Sequence, residues 1–262
     1  MGTHILATAD RLHPLGPVLE SVVEVAPGFP PASMGGDDTA TWYPASWLAD
    51  PDGPALHALL DDAARRWSVG PHAAAGLAFK GYAWAATLPV VVGWAAQRRV
   101  PLPETDRVRV GISPDPPFVR FDLADAAVAV LPGDPAAAHP SAQVVGDPGG
   151  LLDAARAALV DDHLAAVVAA LHSATRVGER LLWGSAAEAI AQPALLMPGR
   201  TVADRVGTAR MLLDSFGERV RDLIDVVDAP DGPRVRRRTC CLWFTAADGR
   251  GRFCASCCVV RP

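Results

Sequence analysis

The first 239 residues of this 262-residue chain contain no cysteine, and the whole chain contains one lysine, Lys80. The other 23 of its 24 basic residues are arginine, which alongside abundant Ala, Pro and Asp reads as codon bias rather than function. Long apolar runs are also missing. The longest uncharged stretch, Gly81 to Gln97, contains Pro89. A membrane span needs about 20 apolar residues, so this stretch reads as a buried helix and no membrane insertion is expected. The first residues, MGTHILATADRLHP, lack the basic start and continuous apolar core of a signal peptide. A cytoplasmic chain is the expectation. No catalytic triad, P-loop, Rossmann fingerprint or HExxH spacing is present, so the common hydrolase, nucleotide-binding and zinc-protease readings find no support.

What the chain does have lies at its end. All five cysteines, Cys240, Cys241, Cys254, Cys257 and Cys258, fall in the last 32 residues. Thiols scattered as core filler would not cluster in this way. In a reducing compartment such clusters favour metal over disulfide, and an odd count argues against a complete disulfide framework. Zinc knuckles bring their ligands as spaced pairs, so that two thiolates reach one ion. Adjacent cysteines such as Cys240 and Cys241 diverge along an extended chain. They suit a broader object with two metal atoms, which favours a 2Fe–2S cluster over zinc.

Charge divides at the same place. Residues 231–262 hold seven arginines against Asp231 and Asp248, a net +5, while residues 1–230 carry −10. A basic tail on an acidic body points to an anionic partner or an internal anion. Nucleic acid is not the expected partner, because there is no long basic run and no nucleic-acid-binding motif. The stretch DAPDGP at 228–233 is a clear breaker. It divides the chain into a body of residues 1–230 and a cysteine-rich segment of residues 231–262.

The body reads as α+β and mainly helical. Pro and Gly punctuate residues 1–53 as an apolar start followed by loop. Helices are expected over 54–67, over 70–98 with a kink at Pro89, and over 151–175, 177–192 and 201–224, the last capped by Thr201. Between them, 107–113, 117–123 and 126–131 are short and β-branched or alternating, and read as a small antiparallel meander. Pro132 to Gly150 reads as loop.

The residues RRTCCLWF followed by FCASC resemble the C-terminal signature of the FhuF-like family of ferric-siderophore reductases. LLWGSAAEAI at 181–190 is similar to that family's Leu-Trp-Gly-Asn helix start, with Ser185 in place of Asn. The loop between the cysteine pairs holds twelve residues, about two more than usual for the pattern. The resemblance implies a helical domain with a small sheet that binds a ferric chelate, and a tail that carries a 2Fe–2S cluster. It implies Cys240, Cys241, Cys254 and Cys257 as ligands, with Cys258 an extra thiol. It also implies no catalytic side chain beyond the cluster.

Three further groups are candidates. Arg176, Arg180 and Trp183 place two cations i, i+4 beside an aromatic if the helical turn continues. That arrangement suits an anionic ferric siderophore, or equally a structural salt bridge. His163 and His172 are nine residues apart, point in opposite directions on a helix, and cannot share a metal. Lys80, in an apolar helix, is either paired or reaching for the surface. The expected function is a ferric-siderophore reductase that passes one electron from a 2Fe–2S cluster to a bound Fe(III) chelate and releases Fe(II). No flavin or nicotinamide motif is visible, so a separate electron donor is expected. The alternative is a non-enzymatic binding or redox-sensing protein stabilised by zinc or an iron–sulfur knot.

Overall fold

A computed structural model describes residues 13–29, 39–229, 232–249 and 252–259. Pro30, Pro31, Gly35 and Gly36, four of the loop signals near the start, lie outside the described residues. The body is helical with three small sheets. Helix α1 (Gly16–Val25) forms within the apolar start of the chain. Pro17 sits at its first turn, where a missing N–H costs nothing. Strand β1 (Thr41–Pro44) leads through a short 3₁₀ turn into α2 (Pro54–Trp67), whose bounds match the expectation.

Helix α3 (Pro71–Val92) forms the centre of the fold. It continues through a π-turn over Gly93–Gln97 that follows Pro89. Proline cannot donate to the helical ladder, and a wider turn re-satisfies the carbonyls around it. By length and composition the helix 71–97 could cross a membrane, but 78% of its most apolar window is buried inside the fold. That burial explains why it is apolar all round.

The expected meander forms only in part. Strands β3 (Arg109–Ile112) and β4 (Val119–Asp122) pair antiparallel, and β1 joins them on the other side of β3. Strand β5 (Ala127–Val130) leaves that sheet. It pairs antiparallel with β2 (Val100–Leu102) and parallel with β6 (Ala142–Val144), a strand inside the stretch read as loop. All four residues of β5 are buried. A strand covered on both faces does not alternate, so its partners cannot be read from its pattern.

One long helix then runs from α4 (Pro148–Ala155) through a π-segment (Arg156–Leu164) into α5 (Ala165–Thr175). Asp147 caps it by accepting from the Gly150 N–H at 2.9 Å. Helix α6 (Glu179–Leu196) packs along α3, and their shared face is rich in Ala and Gly, which lets the axes approach closely. Helix α7 (Val202–Phe216) is capped as expected, with Thr201 Oγ1 accepting from the Asp204 N–H at 3.1 Å. It ends early at Gly217, whose φ of +89° suits glycine. After the short α8 (Glu218–Arg221), strands β7 (Ile224–Val227) and β8 (Arg234–Arg237) form a hairpin across the 228–233 breaker.

Candidate metal centre and adjoining cleft

The tail is seated by two glycines on facing helices. A Cβ on Gly76 of α3 would stand 3.5 Å from the Cys241 carbonyl oxygen and 3.2 Å from a Leu181 methyl. A Cβ on Gly184 of α6 would stand 1.9 Å from Thr239 Oγ1. The tryptophan motif is therefore part of the tail's seat. Trp183 itself is a buried core residue, with the Arg219 guanidinium 5.3 Å over its ring.

Strand alternation divides the arginine run. Arg236 and Arg238 point outward and share Asp225, at 3.3 and 2.6 Å. Arg238 first, then Arg236, holds the Asp225 carboxyl below its ordinary range. Arg237 points inward and is fully buried. Its Nη2 donates to the Leu181 carbonyl at 3.0 Å and to Thr239 Oγ1 at 3.2 Å, and its Nη1 lies 3.4 Å from Glu188 Oε2. Only this one of the three arginines is fully buried.

Glu188 is the hub that sequence reasoning missed. Oε2 meets Lys80 Nζ at 2.5 Å, and Oε1 accepts from Ser256 Oγ at 2.7 Å. Burial alone would raise its pKa, but Lys80, Ser256 and Arg237 outweigh burial and hold the carboxyl below its usual range. Lys80 is thus paired. Lys80, Ser256 and Arg237 lie 108, 68 and 49 residues from Glu188 along the chain, so no local pattern could have linked them. The only hint was a single lysine in an apolar helix.

The thiols lie beside this hub. Cys241 and Cys254, one from each half of the motif, meet at 3.4 Å between sulfurs. Two thiolates bound at about 2.3 Å to one tetrahedral ion would lie about 3.8 Å apart, so the pair is close to ligand spacing. The two sulfurs share a proton. The Cys254 thiol holds Cys241 down to about 6, with help from Lys80 and Arg237, and Cys254 is raised in turn by Cys241 and by burial. Burial first, then the charges of Cys240 and Cys257, raise the Cys258 thiol. The Leu242 N–H points at Cys240 Sγ (3.3 Å) and the Val259 N–H at Cys257 Sγ (3.4 Å). Among the described residues, no three His, Cys, Asp or Glu side chains converge as they would around one ion.

A cleft of about 390 Å³ opens next to the hub. Its walls are mainly apolar and aromatic, with Trp67, Trp84, Phe118 and the tail's Trp243 among them, and Lys80 and Glu188 also line it. Two polar atoms in its lining residues, Ser185 Oγ and Trp84 Nε1, are buried with no hydrogen-bond partner among the described residues. Arg176 and Arg180 are not there. Both are exposed, and the helix breaks between them, with Arg176 at a φ of 60°, so the i, i+4 geometry does not form. The two histidines are satisfied separately. His163 accepts from Tyr82 Oη at Nε2 and donates from Nδ1 to the Pro103 carbonyl, and His172 Nδ1 donates to the Val177 carbonyl.

The chain is thus a mainly helical body with small sheets, a thiol-rich tail packed on it and an apolar cleft lined from both. The family described as ferric iron reductase FhuF-like transporter matches residues 79–217, more than half of the chain, and the chain belongs to that family. No curated protein matches the chain. The matched stretch contains Lys80, Trp183 and Glu188 and ends before the cysteines, so the body carries the family assignment by itself.

Proposed function

We propose that this protein is a cytoplasmic ferric-siderophore reductase, in which the tail from residue 231 holds a 2Fe–2S cluster against the body of residues 1–230. The observation that carries the reading is the contact of Cys241 and Cys254 beside Lys80, which also lines an apolar cleft large enough for part of a chelate. The donor set fits the cluster, being all thiol. One pair, a thiol from each half of the motif, sits at near-ligand spacing, and adjacent cysteines such as Cys240 and Cys241 suit two metal atoms better than one ion. Cys240, Cys241, Cys254 and Cys257 are the proposed ligands, and the amide directed at Cys257 Sγ favours it over Cys258.

When bound, such a cluster supplies electrons singly, and Fe(III) reduced to Fe(II) is held far more weakly by hard oxygen ligands. The chain's own residues do the rest. Trp67, Trp84 and Trp243 exclude water and offer flat faces to a chelate, while Ser185 and Trp84 supply donors that a chelate oxygen would satisfy. A separate one-electron donor restores the centre. Arg176 and Arg180, both exposed, remain a second proposed contact surface, without the buried Trp183. Trp84→Ala and Arg180→Ala separate the two locations, since the variant at the true site weakens ferric-siderophore binding with cluster content intact.

The deciding experiment is anaerobic purification, followed by absorbance, EPR and a ferrous-trapping assay over a siderophore panel. Red-brown protein that bleaches on reduction and releases Fe(II) is expected. Colourless protein with stoichiometric zinc would replace this reading with the metal-stabilised binding protein.

A further inference from the structure

We infer that Lys80, Glu188 and Arg237 form a partly buried clamp that positions the Cys254–Cys257 loop and sets how readily the metal centre accepts an electron. The inference rests on the cluster reading above and adds residues to it. Gly76 and Gly184 already seat the lead-in to the first cysteine pair. The second pair needs its own anchor, and Ser256, between Cys254 and Cys257, supplies it through Oγ to Glu188. A main-chain bond adds to this, with the Arg237 N–H donating to the Ser256 carbonyl at 2.9 Å. The loop is therefore fixed to α6 through one carboxylate and to β8 through one amide.

The charge count gives the clamp its second role. Two cations and one carboxylate leave a net +1 at the hub, with Arg237 fully buried and Lys80 reaching it from the cleft wall. Anchoring alone needs no such excess, because a buried ion group stabilises little beyond what apolar side chains of similar volume would. An excess positive charge beside a centre that gains a negative charge on reduction favours the reduced state. Lys80 is the member that also lines the cleft, and through Glu188 it is tied to Ser256 of the thiol loop, so one ammonium stands between that loop and whatever occupies the cleft. The clamp thus consists of positioning residues rather than groups that touch reacting atoms.

The test uses the intact, cluster-loaded protein and reads the midpoint potential by spectroelectrochemical titration. Glu188→Gln, which removes the negative charge, is expected to raise the potential. Lys80→Met, which removes a positive charge, is expected to lower it, and Lys80→Arg to leave it near that of the wild type. A purely structural role cannot produce shifts of opposite sign. Potentials that do not move, or that move the same way in Glu188→Gln and Lys80→Met, overturn the tuning role, as does loss of the chromophore in both. If Lys80→Met alone fails to load, Glu188→Gln against the wild type and Lys80→Arg decides. Ser256→Ala keeps every charge and is expected to speed tryptic cleavage after Arg252, so unchanged cleavage overturns the anchoring role. A colourless wild-type protein overturns the cluster reading and this inference with it. Coloured protein with unmoved potentials overturns the inference alone.

Discussion

Gly81 and Gly184 lie on facing helices yet make opposite demands. A Cβ on Gly81 meets nothing within 4 Å, whereas one on Gly184 collides with Thr239. Gly81→Ala is therefore expected to stabilise the protein by about 0.5–1 kcal/mol through helix propensity. Gly184→Ala is expected to cost about 1–3 kcal/mol by overpacking and to free the tail. Thermal melts and limited proteolysis distinguish the two. His163 supplies a pH signal of its own. Burial pushes its imidazole down from 6.5 to about 4. The unfolded chain takes up that proton near pH 6.5 and the folded one only near 4. Stability should therefore fall as pH drops through that window, by about 3 kcal/mol in total. Urea midpoints at pH 7.5 and 5 should show the loss, and His163→Asn should flatten it.

At the scale of the element, β8 shows what strand alternation does to a charge run. The sequence presents Arg236, Arg237 and Arg238 as one basic block, but a period of two sends the middle residue to the opposite face. Arg237→Met breaks a buried ion group and is expected to cost about 3–5 kcal/mol, while Arg236→Gln removes an exposed pair worth about 1 kcal/mol or less. Denaturant titration of the two variants checks the contrast. Local pattern was enough for α2, where apolar spacing and Gly53-Pro54 at the start define the helix. It was also enough for the Thr201 cap. It failed at β5, whose four buried residues carry no alternation, and at α7, where Gly217 ends a helix that apolar periodicity would have continued.

At the scale of the whole molecule, the tail contributes to two structures at once. Its cysteines form the candidate centre, and its Trp243 forms a wall of the cleft. Stripping the metal with a chelator under reducing conditions should therefore loosen residues 240–259 and weaken chelate binding together. Protease sensitivity and a binding titration on loaded and stripped protein would show both losses, whereas intact binding in stripped protein would place the substrate away from Trp243. Of this site, the cysteines and the tryptophan motif were legible because each lies within a short stretch of sequence. The Glu188 hub was not, because it is assembled from α3, α6, β8 and the tail by packing, and its members carry no shared spacing.

The scarcity of lysine gives this arrangement a practical consequence. Lys80 is the only side-chain amine in the chain, its side chain is 32% exposed, and it stands in the cleft wall against Glu188. An amine-selective acylating reagent therefore has one side-chain target, and the mass of a single tryptic fragment reports its yield. Because the ammonium must leave Glu188 and lose its proton before it can react, acylation should be slow in the native protein and fast once the tail is released. A ligand seated in the cleft should slow it further. The extent of labelling at residue 80 would thus measure occupancy of the cleft and seating of the tail, with no substitution made anywhere in the chain.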